Sequence, residues 1–286
     1  MHPILVNLSV GGAQLSLGSY GVFLTLAALA SIGLAGRTLI RFGVRPTSAL
    51  VGLIGAVAAG LVGARLLSVL LAPNPYLANP ASVFAFQPTG FALYGGLAGA
   101  GIVMLFLVHR WNLSLARLAD DLIVPLAAGL VLLRIGCFLN GCCSGLPTSL
   151  PWGVTFPAGS TSWGQQVLGG NGAALFGQVS PVHPTQLYEI IAVLVLALIT
   201  RPLRANGRAV GSWRRSLPAG TAALFFAAGF LAFRAFNQTL RAPAIGLDIS
   251  SGTLIGIYAL AALLFAGALL WRLRAPSLAL TPAPSS

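Results

Sequence analysis

Seven apolar runs, each about as long as a bilayer is thick, leave this chain few folds to choose from. They extend approximately over Leu17 to Gly36, Ala49 to Ala72, Phe91 to Val108, Leu118 to Leu139, Thr185 to Ile199, Pro218 to Leu240 and Gly252 to Trp271. A hydrocarbon core about 30 Å thick is crossed by roughly twenty helical residues rising about 1.5 Å each. Inside lipid every backbone N–H and C=O must be satisfied within the segment, so apolar runs of this length are predicted as helices. The expected fold is all-α: a polytopic membrane protein with seven transmembrane helices. Composition agrees, with 57% hydrophobic and only 7% charged residues, a balance that excludes an ordinary soluble domain. We expect one transmembrane domain over 1–275, outer loops at 73–90 and 141–183, and a short cytoplasmic tail at 276–286.

Orientation follows from the arginines. The net charge of +12 comes from sixteen arginines and no lysine, set against Asp120, Asp121, Glu189 and Asp248. Nucleic-acid binding is the usual meaning of so basic a chain, but these arginines lie between apolar runs rather than on a soluble domain. Arg37, Arg41 and Arg45 follow the first run, Arg110 and Arg117 the third, Arg201 to Arg215 the fifth, and Arg272 and Arg274 the seventh. The alternate connections, 73–88 and 141–182, carry no arginine. The positive-inside rule then predicts an outer N-terminus and an inner C-terminus. The first twenty residues lack a basic segment ahead of their apolar part, so we do not read a removable signal peptide there.

Four arginines do not fit the connecting role. Arg65, Arg134 and Arg234 fall within predicted spans and Arg241 at the edge of one, all toward the outer side. An unpaired arginine in hydrocarbon costs at least about 2.5 kcal/mol, so a shared polar cavity is expected. Glu189 is the one carboxylate at that depth, which leaves an excess of guanidinium suited to an anionic ligand such as a phospholipid headgroup.

The stretch RIGCFLNGCCSG, Arg134 to Gly145, ends the fourth run and holds all three cysteines. Arg134, Cys137 and Gly141 share a helical face by spacing. Asn140 either presents donors to a phosphate or, with Gly141, caps the helix. Cys137, Cys142 and Cys143 match no standard zinc spacing, and adjacent side chains are expected to diverge, so we expect no metal. A nucleophilic thiol or small packed residues are the other readings. VHPTQLYE opens the fifth run with His183, Gln186 and Glu189 spaced for one face. His183 is read either as a first-turn cap or as a proton acceptor. Tyr20 and Tyr94 start the first and third spans at their outer ends, either as interfacial anchors or as site residues.

These residues resemble the prolipoprotein diacylglyceryl transferases. RIGCFLNGCCSG looks like that family's signature, and the likeness continues through SYG at Tyr20, GARL at Arg65, YGGLAG at Tyr94, DLIVPLAAGL at Asp121, WGVTFP, VHPTQLYE and AFRAFNQTLR, which ends at Arg241. The resemblance implies a cofactor-free transferase of the bacterial inner membrane, its site facing the outer leaflet. It implies transfer of the diacylglyceryl group of phosphatidylglycerol to the lipobox cysteine thiol of a preprolipoprotein, with a thioether formed and glycerol phosphate released. It implies partners in phosphatidylglycerol, the lipobox signal peptide and the bilayer, and none in nucleic acid. Carried onto this chain, Arg134, Arg234, His183 and Tyr94 are the expected catalytic residues. Arg65, Arg134, Asn140, Gly145, Tyr20, Gln186, Glu189 and Arg241 are expected to bind phosphatidylglycerol. The chain departs from the family pattern at Tyr94, where a histidine is common, and at Cys137, Cys142 and Gln238. Those departures keep open a second reading, a non-catalytic homologue that binds or moves an anionic phospholipid.

Overall fold

Every one of the seven apolar runs contains a helix in the computed structural model. It describes residues 4–10, 13–71, 77, 79, 93–169, 179–204, 217–242 and 250–274, with backbone alone for 4–17, 71, 93 and 94. The long helices are α1 (Ser19–Arg41), α2 (Pro46–Leu71), α3 (Leu93–Arg110), α4 (Leu115–Asn140), α6 (Thr185–Thr200), α7 (Thr221–Thr239) and α8 (Ser251–Arg274). Among the described residues, α1, α2, α4, α8 and α6 with its 3-10 extension to Leu203 are long and apolar enough to cross a membrane, while α3 contributes the shorter apolar stretch Gly95–Arg110. Two elements lie outside the sequence expectation. An antiparallel hairpin, β1 (Ile4–Val10) with β2 (Ala13–Gly18), precedes α1, so the chain is not wholly helical. Its strands alternate apolar and polar residues around Gly11 and Gly12, the sequence sign of a tight hairpin. A short helix, α5 (Thr161–Leu168), folds within the segment expected to be a loop, where Ser160 accepts from the Trp163 amide at 3.2 Å and caps it. The expected outer loop 73–90 and the tail 276–286 fall outside the described residues, Leu77 and Asn79 excepted.

The chain forms two compact units, Ile32–Leu118 and Met1–Ser31 with Ala119–Ser286. In the first, α2 and α3 meet through glycine. A Cβ on Gly95 would strike the carbonyl of Gly63, and one on Gly63 the carbonyl of Gly95. Small residues are how membrane helices reach such close approach, where apolar lipid supplies no hydrophobic drive.

In the second unit the core joins α4, α6 and α7. Ile123 and Ala127 of α4 pack with Val193 of α6 and with Ala222 and Phe226 of α7, all buried. The polar tie of this core is Asp120, only 2% exposed near the start of α4. Its carboxylate accepts from the amides of Gly220 at 2.7 Å and Ala223 at 2.8 Å. It thus caps α7 from across the chain, meeting both the free amides and the positive end of the helix dipole. Asp120→Ala leaves those buried donors unpaired and is expected to lower stability by about 2 kcal/mol or more, read as the thermal unfolding midpoint in detergent. An unchanged midpoint would deny Asp120 this role.

Candidate functional site

The charged centre of the second unit is built on Glu189, one turn into α6 and 1% exposed. Arg134 of α4 places Nε 2.9 Å from its Oε1, and Arg234 of α7 donates from Nη1 to its Oε2 at 2.9 Å. Three helices therefore converge on one carboxylate, and a single positive charge is left over. The Arg134 contact is close but poorly aligned for a hydrogen bond, because its Nε and the facing Oε1 have no well-directed partner among the described residues. Coulomb attraction holds it more than directional bonding. Arg234 also donates from Nη2 to the Tyr258 hydroxyl at 3.3 Å, and its guanidinium carbon lies 5.1 Å from the centre of that ring. This fixes the plane of the fork.

Around this centre the backbone is stitched together by polar side chains of the α6 N-terminus. Thr185 donates to the carbonyl of Cys143 and Gln186 to that of Cys142, each at 2.7 Å. Asn237 of α7, fully buried, donates to the carbonyl of Thr185 at 3.2 Å. The remaining oxygens, Oε1 of Gln186 and Oδ1 of Asn237, are buried acceptors without a donor among the described residues.

The signature stretch closes α4 with a Schellman turn. The Gly141 amide donates to Phe138 O at 3.2 Å and the Cys142 amide to Cys137 O at 3.1 Å, while Gly141 takes φ +69°. Asn140 is thus the last helical residue, as the capping alternative had it. Beyond the turn, Gly145 donates to His183 O at 2.9 Å, Leu146 to Leu240 O at 2.8 Å, and Ala242 to Ser144 O at 3.2 Å. A Cβ on Gly145 would stand 2.5 Å from Leu240 O and 2.6 Å from His183 Cβ. Glycine is what lets these three segments meet, and Gly145→Val is expected to cost about 1–3 kcal/mol of stability by overpacking. The fall in unfolding midpoint checks this. The helix α5 docks on the same turn through Ser162 N to Gly141 O at 2.9 Å and Ser144 Oγ to Ser162 Oγ at 2.7 Å.

Two sequence expectations change here. His183 does not share a face with Glu189, because helix α6 begins only at Thr185 after Pro184 at φ −77°, ψ 67°. Helical spacing therefore does not extend back to residue 183. Its Nδ1 instead lies 3.2 Å from the Tyr188 hydroxyl, which also accepts from Trp152 Nε1 at 2.8 Å. The adjacent cysteines do not diverge either. Cys143 adopts φ +63°, and the sulfurs of Cys137, Cys142 and Cys143 all lie within 4.8 Å of one another as free thiols. Arg134 Nη1 stands 3.8 Å from Cys137 Sγ. Hydrogen bonds from the Cys137 and Cys142 thiols hold the Cys143 thiol far below its ordinary range, against burial, and the charges of Arg241 and Arg134 help.

Arg134, Arg234, Glu189, Gln186, Asn140, Gly145, His183 and Arg241 thus belong to one unit around the α4 terminus. Tyr20 belongs to it too, 37% exposed at the start of α1. Arg65, half-buried on α2, and Tyr94, in the first turn of α3, belong to the other unit. The Tyr94 side chain lies outside the described residues. Thr185, Tyr188, Asn237 and Tyr258 were not singled out from sequence. Thr185 and Tyr188 sit inside the VHPTQLYE motif, but nothing in their spacing marks the partners they find.

Apolar helices of membrane length, with two half-buried arginines held by one buried carboxylate, define the class: a polytopic helical membrane protein with a cationic centre. The chain belongs to the prolipoprotein diacylglyceryl transferase family, whose model matches residues 5–271. It is similar to phosphatidylglycerol–prolipoprotein diacylglyceryl transferase of Bordetella bronchiseptica, 31% identical over 188 residues, covering 64% of this chain and 61% of that protein. The protein of the same name from Nitrosomonas europaea is 30% identical over 218 residues, covering 74% of this chain and 68% of the relative. The Roseobacter denitrificans protein of that name is 30% identical over 267 residues, 85% of this chain and 81% of its own length.

Proposed function

We propose that this protein transfers the diacylglyceryl group of phosphatidylglycerol to the lipobox cysteine thiol of preprolipoproteins, forming a thioether. The observation that carries the reading is the pair Arg134 and Arg234 held on Glu189, with one positive charge in excess. Each guanidinium has five N–H donors, and among the described residues Arg134 meets Glu189 and Cys137 and Arg234 meets Glu189 and Tyr258, so further donors can meet phosphate oxygens. The reaction is attack of a thiolate on a glyceryl carbon with a phosphate as leaving group. Charge accumulates on the phosphate oxygens as the C–O bond breaks, which is where fixed guanidiniums stabilise the transition state. The unpaired acceptors of Gln186 and Asn237 suit the hydroxyls of a glycerol headgroup. The names of the relatives support both substrates.

Arg65, Tyr20, Asn140, Gly145 and Arg241 are proposed to complete the phosphatidylglycerol site. His183 or Tyr94 is proposed to take the thiol proton. For His183 this requires Nδ1–H to donate to Tyr188, leaving Nε2 free to accept. His183→Ala is then expected to slow transfer by about 100-fold or more. Full activity in that variant would pass the role to another group. The proposed setting is the bacterial inner membrane, with seven spans, the N-terminus outside and the site toward the outer leaflet. Reporters fused after Arg215 and inserted at Asn171 are expected to read inside and outside respectively.

The test of function is complementation. The chain, expressed in a strain depleted of its own transferase, should restore lipidation of a lipobox reporter. Phosphatidylglycerol binding without lipidation would instead support a homologue that binds or moves anionic lipid.

A further inference from the structure

All three cysteines of the chain stand at the end of α4, and their sulfurs lie within 4.8 Å of one another. The backbone works to put them there. The Schellman turn carries Cys142 back over Cys137, and Cys143 is held at φ +63°, a conformation that a residue with a side chain adopts at a cost of about 1–2 kcal/mol. Thr185 and Gln186 pin the carbonyls of Cys143 and Cys142 from another helix. The strain is therefore over-determined by its surroundings and brings three thiols together. Sulfurs bound to zinc at about 2.3 Å in a tetrahedron stand roughly 3.8 Å apart, so closing on an ion needs side-chain movement of about an ångström or less. Soft thiolates favour zinc and copper(I) over hard cations.

We propose that Cys137, Cys142 and Cys143 form a three-thiolate zinc site whose fourth position accepts the substrate thiol. Three thiolates and Zn²⁺ carry one net negative charge, and the charges of Arg241 and of Arg134, whose Nη1 is 3.8 Å from Cys137 Sγ, stand beside it. With Glu189 as the other anion, Arg134, Arg234 and Arg241 still leave one positive charge for the phosphate. A zinc site with three protein ligands keeps the open position that catalytic zinc requires. The role of that position rests on the transferase reading above. The incoming thiol binds zinc as thiolate and releases its proton to the acceptor proposed above, His183 or Tyr94. Its sulfur lone pair then forms the new bond to the glyceryl carbon. The C–O electron pair leaves with glycerol phosphate, and the thioether, a weaker ligand, leaves the metal. No oxidant or reductant is needed.

The test uses the full chain in nanodiscs containing phosphatidylglycerol. Elemental analysis is expected to find about one zinc per chain, lost in Cys143→Ser and in the triple serine variant. Cadmium should bind the stripped protein with a thiolate charge-transfer band that grows when a lipobox peptide is added. Removing zinc should lower transfer by about 100-fold or more, leave phosphatidylglycerol binding intact, and be reversed by zinc. Absence of stoichiometric metal, copper(I) in its place, or an unfolded wild type after stripping would overturn the proposal. So would a folded triple serine variant that transfers at the wild-type rate. If the wild type binds zinc but transfers nothing under any condition, the transferase reading fails and the zinc site stands on its own binding data.

Discussion

Glu189→Gln is expected to reduce diacylglyceryl transfer by at least about 100-fold while leaving the protein in the membrane. The carboxylate is 1% exposed and holds Arg134 and Arg234 from opposite oxygens. Removing one partner of a buried ion pair costs about 3–5 kcal/mol, because the remaining charge stays buried without compensation. Here two guanidiniums would be left facing each other, so they separate, and the phosphate site they define opens. The isosteric glutamine keeps the volume, which isolates charge from packing. Initial rates of transfer to a lipobox peptide and the unfolding midpoint should both fall. An anionic lipid should recover more of the midpoint in this variant than in the wild type, because it supplies the missing counter-charge. Phosphatidylcholine should not. A Glu189→Gln protein with wild-type rates would show that the carboxylate does not organise the site.

The second large effect is expected at the arginines themselves. Arg234→Lys and Arg134→Lys should each lower the rate of transfer by about 100- to 1,000-fold, although both keep their charge. Lysine is a point charge on a flexible stem and cannot bind Glu189 while offering a planar fork to phosphate. At Arg234 it also loses the bond to Tyr258 and the ring at 5.1 Å that hold the fork in place. The loss should fall on kcat more than on KM if the guanidiniums act on charge that develops in the transition state. The double variant should lose less than the product of the singles, because both arginines act through Glu189. Losses confined to KM would make them ground-state binding groups only.

How much of this could be read in advance depends on the range of the interaction. The helices were legible because a helix in lipid satisfies its own backbone, so a run such as Ala49 to Ala72 carries its conformation locally. Membrane arginines with few acids announced a cationic centre, since the cost of burying charge is set by residue type and depth alone. The hairpin at Ile4–Val10 and Ala13–Gly18 lies outside what apolar runs reveal, although its alternation and its Gly-Gly pair stand in the sequence.

Composition and hydropathy by themselves determined that this chain is a helical membrane protein and that Arg65, Arg134 and Arg234 needed a polar setting, with Glu189 the carboxylate at hand. Which arginines share the carboxylate was decided only by tertiary structure. The pairing depends on how three helices are turned about their axes, and 45 residues separate Glu189 from Arg234. The same holds for Asp120, whose acid is spent on capping a helix 100 residues away. The cysteines are the sharpest case. Spacing argued that Cys142 and Cys143 point apart, yet a left-handed residue, stabilised by Thr185 and Gln186 from another helix, brings all three sulfurs together. Backbone conformation at a single residue is a local property in sequence, but here the bonds that hold it are not.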